Sequence, residues 1–220
     1  MGIATLYDVH GNLRALEAVL QEIPDDATIV VGGDVVAGGP EPAETLERLR
    51  SLGDRVHWLR GNVDRELMPG EPGLAPPGML DATRAALTDE QIAFLHGLPP
   101  TVQIGRTLYC HATPRNDLDI FTDRTPEERV VPSFAGVEAD LAVCGHTHVQ
   151  FDRAIAGLRV VNAGSVGMAY EDLPGAYWLL LGPDVEHRRS SFEARESSYP
   201  DEWPSASRDE AVSYFETRSV

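Results

Sequence analysis

Seven side chains in this sequence offer nitrogen or oxygen donors at spacings that suit metal chemistry: Asp8, His10, Asp34, Asn62, His111, His146 and His148. Asp8 and His10 stand two apart, and so do His146 and His148. On an extended backbone a period of two places both members of a pair on one side. Two carboxylates, one amide oxygen and four imidazoles suit a pair of borderline divalent ions better than calcium or a closed structural zinc site. Two divalent ions would leave a surplus of two positive charges with neutral imidazoles, or of one with a bridging hydroxide. Such a partly open site is suited to a phosphate ester.

Each donor follows a predicted strand, and it is the strands that must bring the donors together. Ile3 to Tyr7 is a short apolar run that ends at Asp8, and Thr28 to Val31 leads into Gly33-Asp34. Arg55 to Leu59 ends at Gly61-Asn62, Thr107 to Cys110 at His111, and Leu141 to Cys144 at Gly145-His146. Between the first three strands lie helical patterns. One runs from Leu13 to Ile23, with Leu13, Leu16, Val19, Leu20 and Ile23 on one face. The other has Pro42 near its start and Gly53 past its end. This alternation predicts an α/β protein with parallel pairing there. In open α/β sheets ligands gather at the carboxyl ends of strands. A lone Asp-x-His or Gly-Asp carries little weight; four such motifs in order, each after a strand, point to a metal site.

Further along, Met68 to Gly78 reads as a loop or a link to a small cap, and Asp81 to Leu98 as one helix with a Thr88–Gln91 capping box. Val102–Ile104 and Thr107–Cys110 form a hairpin. Thr125-Pro126-Glu127-Glu128 reads as a helix start with Thr125 as its cap. Strands are expected over 151–155, 158–161, 176–181 and 185–190, and Ser207 with Glu210 caps a short terminal helix. The organisation expected is one domain over 1–220, with a cap insert at 68–98 and a mobile segment at 191–220.

Composition narrows the function. The 220 residues hold 35 acidic against 18 basic side chains, a net charge of −17. Phosphate-contact binding of nucleic acid and anionic membranes is disfavoured. All the basic residues are arginines, so lysine nucleophiles and Walker-type lysines are excluded. Cys110 and Cys144 lie among apolar residues and read as reduced, buried thiols. No signal segment and no apolar run near ~20 residues is present. A cytoplasmic location is expected, and a homo-oligomer is left open.

Asp8-x-His10, Gly33-Asp34, Gly61-Asn62, His111 and Gly145-His146-x-His148 resemble the calcineurin-like metallophosphoesterase superfamily. The small YfcE-type phosphodiesterases are the nearer likeness, from about Gly2 to Leu181 and including Asn162 to Gly167. The resemblance implies a four-layer αββα sandwich with two mixed β-sheets. It places Asp8, His10 and His148 on one metal and Asn62, His111 and His146 on the other, with Asp34 bridging. Asp34, Asn62 and His111 would serve catalysis. The function implied is a dinuclear-metal-dependent phosphoesterase, first of all a phosphodiesterase, acting by in-line attack of a metal-bridging hydroxide on a small phosphorylated substrate. Manganese is the first choice of ion, with iron, zinc, nickel, cobalt or magnesium as alternatives. Val63 departs from the pattern: a histidine credited with helping the leaving group often stands there, and valine donates no proton. That help is worth ~10²–10⁴ in rate. The departure keeps a second reading open, a non-catalytic metal-binding scaffold of the same fold.

Other residues have two readings each. Asn12 contacts phosphate or caps the helix that follows. Arg115 reaches a phosphate or is a solvated surface arginine. Gly164 to Gly167 lines the site floor or is a tight turn. His57 reads as structural, and His96 as a favourable charge at a helix end.

Overall fold

The computed structural model describes residues 2–193 and 207–220. Among the described residues ten strands form two five-stranded sheets. The first holds β1 (Ile3–Leu6), β2 (Thr28–Val31), β3 (Val56–Trp58), β9 (Ala176–Leu181) and β10 (Val185–Ser190), in the order β10-β9-β1-β2-β3. The second holds β4 (Thr101–Ile104), β5 (Thr107–Cys110), β6 (Leu141–Cys144), β7 (Phe151–Ile155) and β8 (Leu158–Asn162), in the order β4-β5-β6-β8-β7. Both are mixed: β1–β2–β3 and β5–β6–β8 pair in parallel, and the outer pairs are antiparallel.

The central strands β1, β2 and β6 are largely apolar because both of their faces are covered. On β2, Ile29 and Val31 join the core under the helices, while Val30 turns to the core between the sheets. On β6, Val143 faces the inter-sheet core, while Ala142 and Cys144 face the outer side. Helices α1 (Leu13–Leu20) and α2 (Pro42–Arg50) cover the first sheet through Leu16, Val19, Leu46 and Leu49. The short α6 (Glu127–Val130) and the 3-10 turn Val131–Phe134 cover the second. The result is the expected αββα sandwich.

Several local expectations change. The single helix over 81–98 is two, α4 (Pro77–Ala86) and α5 (Asp89–His96), because Leu87 is extended and the Thr88–Gln91 capping box opens a new helix. Thr125 does not cap α6. Its hydroxyl accepts from Thr122 N and donates to Glu216, and Pro126 takes the cap position. A short helix, α3 (Asn62–Glu66), starts directly at the Gly61-Asn62 motif. Of the segment 191–220, residues 194–206 lie outside the described residues. The helix α7 (Arg208–Glu216) is capped by Ser207 as expected, and it buries Val212 and Phe215 against Val149, Met168 and Tyr170. No helix among the described residues is long and apolar enough to cross a membrane.

Asn12 ties α1 to the turn at 164–167. Its Oδ1 accepts from Ala15 N at 3.1 Å, and its Nδ2 donates to Gly167 O at 3.1 Å. Asn12→Ala removes both bonds and should lower unfolding free energy by about 1–2 kcal/mol. A urea titration checks this through a lower midpoint at unchanged slope.

Candidate metal centre

All seven candidate donors converge between the carboxyl ends of the two sheets, and the backbone there is unusual. Asp8, His10, Asp34, His146 and His148 all have positive φ, between 50° and 68°. Among the described residues only one other non-glycine, Ala156, does so. Left-handed backbone costs an ordinary residue roughly 1–2 kcal/mol, and a cluster of such residues marks a functional site. The geometry also corrects the strand-period argument. β1 ends at Leu6 and β6 at Cys144, so Asp8, His10, His146 and His148 sit beyond the strands. They share one side because a left-handed turn re-aims each side chain.

Asp8, His10 and His148 form one group whose ligand atoms lie within 4.8 Å of one another, and Asp34, His111 and His146 form a second. Asn62 joins the second, its Oδ1 lying 3.2 Å from His111 Nε2. Asp8 Oδ1 is fully buried and has no hydrogen-bond partner. Around it stand His148 Nε2 at 3.4 Å, His10 Nε2 at 3.8 Å and His111 Nε2 at 3.9 Å. Three of the rings are fixed from behind by carbonyls: His10 Nδ1 bonds to Ala37 O, His111 Nδ1 to Gly32 O and His148 Nδ1 to Met168 O. A carbonyl only accepts, so each Nδ1 carries a proton and each Nε2 points inward, where in the neutral form of the ring it offers a lone pair. A buried carboxylate oxygen without a donor, faced by inward lone pairs, fits divalent cations and little else.

The motif glycines make room for these carboxylates. A Cβ on Gly61 would fall on Asp34 Oδ1, and one on Gly145 would crowd Asp8 Oδ2. Asp8 Oδ2 accepts from His146 N, and Asp34 Oδ1 from Val63 N. Behind them stand Asp64 and Glu66, to which sequence reasoning gave no role, and Ser165 of the 164–167 turn. Asp64 is buried and accepts from Asp34 N, Val35 N and Gly61 N, locking two motif loops together. Glu66 accepts from Asn62 Nδ2 and from the backbone of Leu74 and Ala75. Ser165 donates to Asp8 O, which makes the 164–167 turn a buttress. Asp64 stands three residues after Gly61, at the third position of α3, where an acid reaches back to the helix start. That was its one signal in the sequence.

The electrostatics follow from burial and crowding. Burial raises Asp34, but His111, 3.4 Å away, outweighs it and holds the carboxyl below its usual range. Burial likewise raises Asp8, and His148 overcomes it. Burial pushes His146 down to about 4, helped by the charge on His111. His111 resists burial because Asp34 and Asp8 push it up to about 10. Burial and the Asp34 charge push Asp64 up to about 7, against its N–H bonds to Gly61 and Val35.

A cavity of about 320 Å³ opens onto His10, Asp34, Asn62, His146 and His148, while Asp8 and His111 lie beneath it. Arg115 is not on its lining. It forks onto Asp119 at 2.8 and 3.0 Å and borders a separate cleft of about 220 Å³ that shares only His111 with the donor set. Asn12 is absent from the lining too, with both ends of its amide engaged. His57 and His96 lie outside it as well.

The calcineurin-like phosphoesterase superfamily domain matches residues 1–181. The chain belongs to this superfamily. It is thus a hydrolase of the phosphoesterase class. A metallophosphoesterase from Sphaerobacter thermophilus superposes with a TM-score of 0.75 at 26% identity, over 88% of this chain and 89% of that one. The YfcE phosphoesterase of E. coli shares the fold, with a TM-score of 0.53 at 22% identity over 90% and 99%. The symmetrical bis(5'-nucleosyl)-tetraphosphatase of Pectobacterium atrosepticum is 35% identical over 123 residues, 50% of this chain and 43% of its own. The chain therefore spans less than half the length of that curated relative.

In metal-stripped protein Asp8 is a buried charge with an unsatisfied oxygen. An ion at ~100 times its Kd should stabilise the wild type by roughly 2.7 kcal/mol. Asp8→Asn should lose most of that gain while keeping the stability of the metal-free form. Thermal unfolding with and without Mn²⁺ checks both.

Proposed function

We propose that the chain is a dinuclear-metal-dependent phosphodiesterase acting on a small phosphorylated substrate. The observation that carries this reading is Asp8 Oδ1, buried and unpartnered in front of three imidazole nitrogens. Asp8, His10 and His148 would hold one ion and Asn62, His111 and His146 the other, with Asp34 between them. Bound there, the ions supply Lewis acidity to the phosphoryl oxygens and lower the pKa of water at the centre. Manganese is our first choice among the borderline divalent ions that mixed nitrogen and oxygen donors accept.

The chain's own residues pre-arrange that centre. Carbonyls behind His10, His111 and His148 take up their Nδ1 atoms and so aim each Nε2 inward, where it can bind an ion. Asp64 and Glu66 hold the Asp34 and Asn62 loops in register. Val63 lines the cavity and gives its backbone N–H to Asp34, so it offers a wall where an acid could stand. Proton delivery to the leaving group is therefore weak at this position. The same residue sustains the second reading, a metal-binding scaffold without turnover. The cap role proposed for 68–98 is supported by Leu74, Ala75, Pro76 and Met79 on the cavity lining. The cytoplasmic location proposed is supported by Cys110 and Cys144, both buried free thiols.

The test is hydrolysis of bis-p-nitrophenyl phosphate by metal-stripped protein with Mn²⁺ added back. Metal-dependent turnover that disappears in Asp34→Asn is expected. No turnover with Mn²⁺, Ni²⁺, Co²⁺ or Zn²⁺ would favour the scaffold. With turnover in hand, the rate should fall steeply as leaving-group pKa rises across a series of aryl esters, because Val63 supplies no proton. A Val63→His variant should flatten that slope and speed the poorest leaving groups by up to ~10².

A further inference from the structure

Large apolar side chains exposed to water are few among the described residues: Leu74 at 56%, Leu173 at 61% and Tyr214 at 36%. Two of them, Leu74 and Tyr214, line the same cavity, the one that opens onto the metal-ligand set. They belong to segments far apart in sequence. Leu74 precedes α4 and is held by its backbone N–H to Glu66, the residue that also holds Asn62. Tyr214 lies on α7, beyond the residues 1–181 that match the superfamily domain.

α7 is anchored in place by polar contacts. Thr122 and Thr125 donate to Glu216, Arg208 pairs with Asp123, and Val220 N donates to Ile120 O. Its Phe215 is buried against Tyr170, whose ring stacks on the candidate ligand His148 at 5.0 Å and 16°. Beyond the donors, the cavity is walled by Leu74, Pro76 and Met79 on one segment and by Tyr170, Tyr214 and Phe215 on the others. Arg218, its guanidinium 3.8 Å over the Tyr214 ring, is the one arginine on the lining among the described residues. Apolar surface kept in water beside a polar site is the mark of a ligand face.

We propose that this wall binds the organic group of the substrate, so that the site selects a phosphate ester bearing an aromatic or apolar group, with Tyr214 and Leu74 as its specificity residues. The proposal rests on the phosphoesterase reading above. The phosphoryl group would sit over the donor set and its aryl group between Leu74 and Tyr214. Among the described residues the apolar wall carries one arginine, and in a chain of net charge −17 that suits one further negative charge better than a chain of several phosphates.

The test is calorimetric titration of the full chain, loaded with Mn²⁺, with phenylphosphonate and with methylphosphonate. These share the metal-binding head and differ in the group that meets the wall. Phenylphosphonate is expected to bind about tenfold tighter, from the apolar area it buries. Tyr214→Ala and Leu74→Ser should each shrink that ratio, and Tyr214→Phe should preserve it. Both sites are partly exposed, so the fold should survive; far-UV circular dichroism checks this. Equal affinities in the wild type, binding of neither phosphonate, or a ratio that survives both Tyr214→Ala and Leu74→Ser would each overturn the proposal. Absence of bis-p-nitrophenyl phosphate hydrolysis with the phenyl preference intact would overturn the catalytic reading and leave the wall standing.

Discussion

Two carboxylates, Asp8 and Asp34, are buried side by side among four imidazoles, and much of the structure serves to hold them there. Like charges withdrawn from water are costly unless cations or donors answer them. Asp34 is answered in part by Val63 N and His111. Asp8 is answered on one oxygen only, by His146 N. The remaining demand is met by a divalent ion far better than by any side chain present. Metal binding here would therefore be coupled to the stability of this region.

Holding the donors takes strain at the backbone and support behind it. Five of them sit in left-handed turns that ordinary residues avoid. The support comes from hydrogen bonds that lock loop to loop. Asp64 joins the loops carrying Asp34 and Asn62, Ser165 braces the carbonyl of Asp8, and Asn12 connects that brace to α1. Each motif thus depends on a partner loop from elsewhere in the chain. The apolar sandwich supplies the rigid base: Tyr7, one residue before Asp8, is fully buried between the sheets and bonds to Val143 O.

The candidate donors and the outer wall of the cavity are built from different parts of the chain. The donors come from strand ends within the superfamily domain. The outer cavity comes from the 68–98 segment and from α7, which lies beyond that domain. The wall can therefore change without touching the candidate ligands.

The sequence by itself determined the α/β class, the succession of strands along the chain and the seven candidate donors. Short-range rules suffice for these: apolar runs mark strands buried on both faces, and donor types announce metal chemistry. It misjudged what depends on local competition. The 81–98 segment broke into two helices because Thr88 caps the second, and Thr125 was drawn away from its cap position by Glu216, a residue 91 positions on. The left-handed turns, the loop lock at Asp64, the anchoring of Arg115 by Asp119 and the seat of α7 beside the centre were decided only by the tertiary structure. Each depends on which distant group supplies the hydrogen bond or contact, and a linear sequence does not carry that distance.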